Sequence, residues 1–385
     1  MNIIFFDDTN SAHLKPFTLT RPAAEIRIGI MTIREKWEKI MQAKCSWLTA
    51  EYLQKKYPVT VEDENVLVAS SLLPTPELTK AVKKLQIGDG LYKNGFLLAA
   101  KLGKSASIGD ICRIEEFDDE ISQIASVTDI FMKNDEELRK DFKIITKSRK
   151  SAEISATNLI IGDKKDIFVE KGAKIEGAIL NCSAGPIYIG KETEVMEMAT
   201  IRGPFALCEH SQVKMSAKIY GATTIGPWCK VGGELSNVVF FGYSNKAHDG
   251  FLGNSVVGEW CNFGADTNAS NLKNNYSTIK IWNYERKRFR DTGLQFCGLF
   301  MGDHSKCGIN SMFNSGTIVG VGCNLFGTGY YRNLVDSFSY GGPNTGYEKY
   351  RLDKVIETAE QVFARRHKTF DETEKEIMEY LWENC

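Results

Sequence analysis

The sequence predicts an α/β domain followed by a parallel β-helix and a pair of C-terminal helices. Strand and helix patterns alternate through the first part of the chain, which favours an α/β sheet. Apolar residues then recur every six positions, and the end of the chain shows helical periodicity. We therefore place the α/β domain at residues 1–150, the β-helix at 151–340 and the helices at 341–385.

The composition of the 385 residues is typical of a globular protein, with 43% hydrophobic and 25% charged residues. A net charge of −1 gives no reason to expect a nucleic-acid or membrane partner. The chain has no run of about 18 apolar residues that would span a membrane. Its start, MNIIFFDDTN, predicts a buried strand and not a secretory signal, so we expect a cytoplasmic protein.

The cysteines and histidines show no spacing typical of a metal site. The ten cysteines include no C-x-x-C pair, and the five histidines include no H-x-x-x-H pair. This pattern predicts reduced cysteines in the core or on the surface, and it leaves the identity of any metal unknown.

The α/β domain is predicted from two apolar strands and two helical patterns. NIIFF at 2–6 and ENVLVAS at 64–70 have the character of buried strands, and helical patterns lie at 32–42 and 76–86. A mixed segment at 118–146 joins this domain to the repeats.

The repeat domain is predicted from a period of six. Three such units close a triangular coil of about 18 residues, and stacked coils bury one apolar column. Glycines directly after apolar residues are expected at tight corners that need a permissive backbone, at 190, 226, 258, 302, 308 and 320. The spaced apolar residues form three sets, which are Ile189, Val195, Ile201, Leu207, Val213, Ile219, Ile225 and Val231; Phe251, Val257, Phe263 and Ala269; and Met301, Cys307, Phe313, Val319 and Leu325.

A polar and aromatic insertion interrupts the repeats at 270–298, and such insertions in solenoids are often functional. Two helical patterns follow the repeats, at about 348–367 and 371–384. The second begins at Asp371, a residue suited to cap a helix, and its apolar face contains Ile377, Tyr380 and Leu381. We expect these helices to cap the open end of the β-helix.

LKPFTLTRP, residues 14–22, resembles the L-x-P-L-T-x-x-x-P segment of sugar-1-phosphate nucleotidyltransferases. The match departs from that family where phosphates and metal are normally held. His13 and Ala23 replace an Arg and a Lys, FDDTNSAH replaces the Gly-rich loop, and Ser70 and Ser71 replace a G-D pair. Basic residues that remain available for a nucleotide are Lys15, Arg21 and Arg27, and Asp7 or Asp8 is a candidate metal ligand.

NKAHDGFLGNSVVGEWCNFGADTNASNLKN, residues 245–274, is similar to K-A-x-H-x-x-Y-L-G, N-I-G-A-G-T and C-N-Y segments of another family. This is the bifunctional N-acetylglucosamine-1-phosphate uridyltransferase/glucosamine-1-phosphate acetyltransferase family, in its divergent bacterial form with a shortened N-terminal domain. The resemblance implies a left-handed β-helix, a homotrimer and acetyl-CoA as donor.

The same resemblance assigns roles to individual residues. It implies that His248 is the catalytic base, that Glu234 supports it, and that Asn271 acts near the donor. Asn262 and Phe251 would bind the sugar with Lys218, and Ala265 and Leu272 would bind CoA. Turn or ladder roles are the alternatives for the two asparagines.

The substitutions Phe251 for Tyr and Ser236 for Lys remove groups that hold sugar and phosphate in that family. Cations of the insertion are candidates to replace them, namely Lys273, Lys280, Arg286, Lys287, Arg288 and Arg290. His304 is a second candidate near the donor.

The expected function is CoA-dependent N-acetylation of an amino-sugar phosphate, with glucosamine 1-phosphate as the first choice. A histidine suits this reaction because a base must remove a proton as the amine attacks the thioester. The N-terminal domain would add UDP-sugar synthesis from a nucleoside triphosphate, with Mg²⁺ if that activity is retained.

Two alternatives stay open from the sequence. One is a thymidylyl-, guanylyl- or uridylyltransferase with a structural β-helix, and the other is a non-catalytic scaffold or regulatory subunit.

Overall fold

The computed structural model describes residues 1–385, which form two compact units. The first contains Met1–Ile26 and Met31–Ser126, and the second contains Arg27–Ile30 and Val127–Cys385. The two compact units divide near residue 126, because the helices of the joining segment pack with the second unit.

The first unit is built on a six-stranded sheet of order β2-β1-β3-β6-β5-β7, in which β1 runs parallel to both β2 and β3. The strands are β1 Asn2–Phe6, β2 Lys44–Leu48, β3 Glu64–Ala69, β4 Leu72–Leu73, β5 Asp89–Lys93, β6 Phe96–Gly103, β7 Arg113–Glu116 and β8 Ser122–Gln123. The helices are α1 Ile33–Met41 and α2 Pro76–Lys84, with 3-10 turns at Ser11–Leu14, Phe17–Leu19, Ala23–Glu25, Glu51–Leu53 and Ile108–Asp110. The predicted strands and helices of this domain are thus confirmed.

Local sequence explains where α1 and α2 begin. Thr32 accepts a hydrogen bond from the Glu35 backbone N–H, and the Glu35 side chain bonds back to Thr32, which makes a capping box. Thr75 caps α2 by accepting a hydrogen bond from the Leu78 backbone N–H, and Pro76 follows at a position where its missing N–H costs nothing.

The second unit begins with α3 Val127–Met132 and α4 Asn134–Thr146 and continues as a parallel β-solenoid with three faces. A 3-10 turn lies at Lys164–Asp166. Face 1 contains Ile167–Val169, Ile187–Ile189, Phe205–Leu207, Thr223–Ile225, Leu299–Met301, Thr317–Val319 and Leu334–Val335. Face 2 contains Lys174–Ile175, Glu194–Val195, Gln212–Val213, Lys230–Val231, Asn245–Lys246, Asn262–Phe263, Lys306–Cys307 and Asn324–Leu325. Face 3 contains Leu159–Ile161, Ile179–Asn181, Thr200–Arg202, Lys218–Tyr220, Asn268–Ala269 and Met312–Phe313.

Two long strands join face 3 to face 1 without a break, Glu234–Gly242 and Phe251–Glu259. The predicted apolar column is buried, with one exception. Phe251 is only half-buried, and Leu252 takes the core position beside Leu235. The spacing of core positions falls from six to five between 252 and 257, because a continuous strand replaces the corner there and one residue fewer is needed.

The six glycines expected to relax the corners act for a different reason. None of these six glycines has a φ in the left-handed region. At the corner before face 2, the residues with a left-handed φ include His210, Trp228, Tyr243, Trp260 and His304. At Gly226 the next coil comes so close that a Cβ would lie 2.0 Å from the Phe241 carbonyl oxygen. Glycine is needed there because two coils are in contact.

Replacing Gly226 by alanine should lower the free energy of unfolding by about 1–3 kcal/mol, because the added methyl overpacks this contact. Gly308→Ala is the matched control, since the nearest atom to its Cβ is 3.6 Å away. Urea unfolding of both variants measures the difference, and equal loss would contradict the steric explanation.

The insertion forms an antiparallel hairpin of Lys280–Asn283 and Arg288–Asp291. Ser339–Gly342 pairs in parallel with Asn324–Leu325 as a further strand of face 2 and antiparallel with Gly346–Lys349. Helices α5 Leu352–Ala364 and α6 Glu372–Asn384 complete the chain. Asp371 caps α6 as predicted.

Helix α5 does not lie over the open end of the β-helix, where a cap was expected. Helix α5 runs back along face 2, because its buried Phe363 stacks on Trp260, several coils before the last. In α6 the buried face contains Met378 with Ile377 and Leu381, whereas Tyr380 is exposed. No helix of the chain is both long and apolar enough to cross a membrane.

Candidate active site

His248 lies at the corner between faces 2 and 3, on the exposed segment that joins Asn245–Lys246 to Phe251–Glu259. Ladder register sets the shortened corner Gly232–Gly233 on one side of it and the corner containing Ala265 on the other. Two coils away along the same edge, Met215 and Ile309 are 65% and 70% exposed. Small neighbours therefore leave space around the imidazole between two larger apolar side chains.

The shortened corner requires its two glycines. A Cβ on Gly232 would lie 2.4 Å from the Ala247 carbonyl oxygen, and one on Gly233 would lie 2.7 Å from that of Gly250. Gly233 also has a φ of 71°, which favours glycine. This corner therefore packs its backbone directly against the His248 corner.

Lys246 occupies an inward position of the repeat, where every other face 2 strand from 174 to 325 places an apolar residue. It is 1% exposed and pairs with Val231 in the ladder. Burial lowers the pKa of its ammonium to about 8. The sequence motifs do not predict Lys246 as a site residue, although Phe240, Lys246 and Leu252 are spaced by six and a polar residue in that series is a detectable signal.

A groove of about 650 Å³ lies over face 2, with His248 among its lining residues. The solenoid forms one wall, and α5 with the residues after it forms the other, through Thr358, Val362, Arg365 and Arg366. The predicted residues Asn262 and Ala265 also line the groove, so the structure brings them together with His248.

The groove is strongly cationic. Lys230, Lys306, Arg365 and Arg366 line it, and no aspartate or glutamate does. Burial, followed by the charges of Arg366, Lys214 and Arg365, lowers the pKa of Lys230. Burial also lowers the pKa of Lys306 to about 8. Cations gathered without an acidic partner in this lining make the groove a site for an anion.

Arg366 is held in place by one hydrogen bond. Its Nη2 donates to Asn245 Oδ1 at 2.9 Å, whereas its Nε is buried and makes no hydrogen bond. A phosphate oxygen is the acceptor that a guanidinium group prefers.

An aromatic stack attaches α5 to the solenoid at the corner between faces 1 and 2. Trp260 lies with its ring centroid 4.2 Å from that of Tyr243 and 3.8 Å from that of Phe363. His304 packs against Phe363 in the same stack, at 6.0 Å, and not in the groove beside His248. The stack therefore holds α5 against the solenoid, and Arg365 and Arg366 follow this helix directly.

Glu234 is not bonded to His248, contrary to the role that the sequence suggested. Its carboxylate accepts a hydrogen bond from the Tyr220 hydroxyl at 2.6 Å and lies 4.0 Å from the Lys218 ammonium. Phe251 pairs with Glu234 in the ladder. These residues form a second surface on face 3, on the other side of the His248 corner.

Asn271 and Leu272 do not line the groove of a single chain. Asn271 Nδ2 donates to Asn254 Oδ1 at 2.8 Å, which favours the ladder role over the catalytic one. Leu272 bridges to Phe296 at the base of the insertion. The insertion's cations are also absent from the groove, because α5 and the residues after it supply the two arginines instead.

In the N-terminal region, Arg27 has a structural role and is not open to a nucleotide. It is buried, and its guanidinium donates to the carbonyl oxygens of Phe241 and Ile30. Arg21 is buried and interacts electrostatically with Glu25, and Lys15 is half-buried.

The acidic pair at the end of β1 is engaged within the first unit. Asp8 accepts hydrogen bonds from the backbone N–H groups of Asn10 and Ser71, both at 2.8 Å, and Asp7 accepts one from Thr49. Burial raises the pKa of both carboxyl groups. No cluster of three or more residues suited to hold a metal occurs in the chain.

Comparison with known proteins identifies the N-terminal region. Residues 3–150 match the family model of sugar nucleotidyl transferases. This region is a nucleotidyltransferase-like domain. The chain is also 37% identical over 76 residues to the bifunctional protein GlmU of Methanocaldococcus jannaschii. That match covers 20% of this chain and 18% of the relative's length.

Solved structures similar to this chain include two acyltransferases. The polySia-specific acetyltransferase NeuO aligns over 55% of this chain and 94% of its own, at 12% identity and a TM-score of 0.28. A mutant of AntD, an N-acyltransferase from Bacillus cereus solved with dTDP-4-amino-4,6-dideoxyglucose and coenzyme A, aligns over 54% and 90%, at 12% identity and a TM-score of 0.24. The family match over residues 3–150, the partial relative and the solenoid fit a GlmU-like bifunctional family.

Proposed function

We propose that the chain is a CoA-dependent N-acetyltransferase that acts on an amino-sugar phosphate, with glucosamine 1-phosphate as the most suitable acceptor. The observation that carries this proposal is the position of His248 at the edge of a cationic groove without acidic lining. An acyl donor with several phosphates fits such a groove, because Lys230, Lys306, Arg365 and Arg366 would offset its charge.

The His248 corner lies between two surfaces of different character. The groove over face 2 is suited to the phosphates of the donor, with Asn262 and Ala265 beside the acyl end. The surface on face 3 offers the Glu234 carboxylate, Tyr220 and Lys218, which suit an acceptor with an amine, hydroxyls and a phosphate. In this arrangement the imidazole stands where donor and acceptor meet.

The reaction requires a base at this point. The neutral imidazole of His248 would accept a proton from the acceptor amine as its nitrogen attacks the thioester carbonyl. When the carbon–sulfur bond breaks, the imidazolium would return a proton to the leaving thiolate. Glu234 is assigned to the acceptor in this scheme, because its carboxylate is already bonded to Tyr220.

A second candidate function is nucleotidyl transfer by the N-terminal domain, which the family match over residues 3–150 favours. The acidic pair Asp7 and Asp8 does not fit a magnesium site, because backbone N–H groups occupy the Asp8 oxygens and no third ligand lies near. Release of pyrophosphate from a nucleoside triphosphate and a sugar 1-phosphate would establish this activity.

We also propose that the active form is a homotrimer. In a single chain, face 3 and the groove each open to solvent beside His248, and a neighbouring copy would complete them. Light scattering coupled to gel filtration measures the mass, and a monomer that is fully active would contradict this proposal.

The function is tested by CoA-thiol release with acetyl-CoA and a panel of amino-sugar phosphates. Arg366→Met should weaken CoA binding about tenfold at low salt, which corresponds to one charged phosphate contact. Arg351→Met is the control, because Arg351 lies at the start of the same helix, is exposed and pairs only with Asp353. No thiol release with any acceptor, or equal CoA binding by both variants, would refute the proposal.

A further inference from the structure

The ammonium of Lys246 is directed at the backbone of the corner that contains His248. Its Nζ donates to the carbonyl oxygens of His248 at 2.9 Å, Asp249 at 3.2 Å and Gly232 at 3.4 Å. Three acceptors match the three hydrogens of an ammonium group. The side chain is buried in the solenoid core, so these carbonyls are turned toward it. The Asp249 carbonyl also accepts a ladder hydrogen bond from the Asp266 backbone N–H at 3.1 Å.

The orientation of these carbonyls fixes the direction of two amide hydrogens. In a trans peptide the C=O and N–H of one unit point in opposite directions. Because the carbonyls of His248 and Asp249 are turned toward the Lys246 ammonium, the N–H groups of Asp249 and Gly250 point away from it, to the outer side of the corner. Neither N–H donates a hydrogen bond within the chain, and Asp249 is exposed.

Two adjacent outward N–H groups beside a general base are suited to bind an oxyanion. We propose that Lys246 is a positioning residue, which holds the corner so that the N–H groups of Asp249 and Gly250 stabilise the oxyanion formed next to His248. This inference rests on the proposed acetyl transfer and adds residues to it.

As the amine nitrogen forms its bond to the thioester carbon, the π electrons of the carbonyl move to oxygen, and His248 takes the amine proton. The two N–H groups stabilise the oxygen while it carries the negative charge. When the carbonyl re-forms, the carbon–sulfur bond breaks and the thiolate leaves with the proton from the imidazolium.

A charged group in an apolar column needs such a reason, because burying an ammonium is costly unless acceptors surround it. An apolar residue at 246 would fill the column, as Val231 does in the preceding coil, but would leave the three carbonyls without this donor. At the coil that contains His248, Lys246 therefore replaces the apolar core residue found in the other face 2 strands from 174 to 325.

We call the three hydrogen bonds from Lys246 to the carbonyl oxygens of Gly232, His248 and Asp249 the clamp. Lys246→Met tests the clamp, because it keeps the unbranched side chain and removes the ammonium. We expect kcat to fall about 100-fold, the loss measured for single oxyanion donors, with KM for both substrates changed by less than about threefold. Lys246→Gln should recover part of kcat, because its amide can donate to two carbonyls. Leu252→Ala is the control, since it destabilises the same coil without touching the clamp, and its kcat should stay near that of the wild type.

A kcat of Lys246→Met within about twofold of the wild type, or an equal loss in Leu252→Ala, would overturn the proposal. If Lys246→Met does not fold, Asp249→Pro decides, because it removes one of the two N–H groups at an exposed position, and unchanged kcat there refutes the oxyanion role. Carbonyl ¹³C shifts of His248 and Asp249 provide a readout without substrate. If the wild-type chain transfers no acetyl group, the proposed function and the oxyanion role are both refuted. If the wild type is active but Lys246→Met leaves both carbonyl shifts unchanged, only the positioning role of Lys246 is refuted.

Discussion

Replacing His248 by alanine should lower kcat for acetyl transfer by about 10²–10⁴-fold, the usual contribution of a general base. Affinity for CoA should change little, because the cations that would hold the donor phosphates are Lys230, Lys306, Arg365 and Arg366. Thiol release measures kcat, and calorimetric titration with CoA measures the affinity.

The loss is expected at the chemical step for a specific structural reason. His248 is exposed at a corner whose neighbours are glycine and alanine, so its removal leaves no cavity and should not destabilise the fold. A drop in kcat with an unchanged unfolding midpoint therefore reports chemistry.

His210→Ala is the matched control for this experiment. His210 belongs to the same solenoid but stacks on Trp228 with ring centroids 4.3 Å apart, at the corner between faces 1 and 2. It is not part of the groove lining, so its replacement should leave kcat unchanged. Comparable losses in the two variants, or full activity of His248→Ala, would remove His248 from the mechanism.

The period of six predicts the solenoid well because each inward residue must be apolar to fill a narrow shared core. Val213, Phe263 and Val319 are buried where the count places them. The count fails at Phe251, because the number of residues in a coil depends on whether a corner or a continuous strand connects two faces. Corner length is a property of backbone packing that side-chain hydropathy does not encode.

The candidate site is predicted unevenly for a related reason. His248, Asn262 and Ala265 lie within two successive coils, so fixed spacing along the chain becomes proximity in space. The two groove arginines come from a segment more than 100 residues later, and no repeat relates them to His248. Their position depends on where α5 docks, which only the folded aromatic stack determines.

Glu234 and Asn271 illustrate the limit of inference from spacing. Both keep their offsets from His248, yet their polar atoms are bonded to Tyr220 and Asn254. An offset places a residue on a coil, whereas its partners are set by the column of side chains above and below it. Those columns contain residues specific to this chain.

Replacing Phe363 by alanine should have the largest effect on stability. Phe363 is buried with its ring on Trp260, and removal of a buried phenylalanine ring costs about 3–5 kcal/mol. Because an isolated helix as short as α5 is marginal in water, the loss should release the helix from face 2.

Release of α5 should also weaken CoA binding, because Arg365 and Arg366 follow this helix directly and would leave the groove with it. We expect at least a tenfold lower affinity, about the effect of losing one charged contact. Calorimetric titration with CoA measures the affinity, and limited proteolysis between Gly346 and Leu352 reports whether the helix is released.

Tyr380→Ala separates this effect from a general response to losing an aromatic ring. Tyr380 lies on α6 and is 42% exposed, so its replacement should change neither the unfolding midpoint nor CoA affinity. If Phe363→Ala lowers stability but leaves CoA affinity intact, the arginines do not hold the donor, and the phosphates must bind through Lys230 and Lys306 alone. If affinity and proteolytic protection fall together, the C-terminal helix is part of the binding site, because the same stack that attaches it to the solenoid positions the charges that the donor requires.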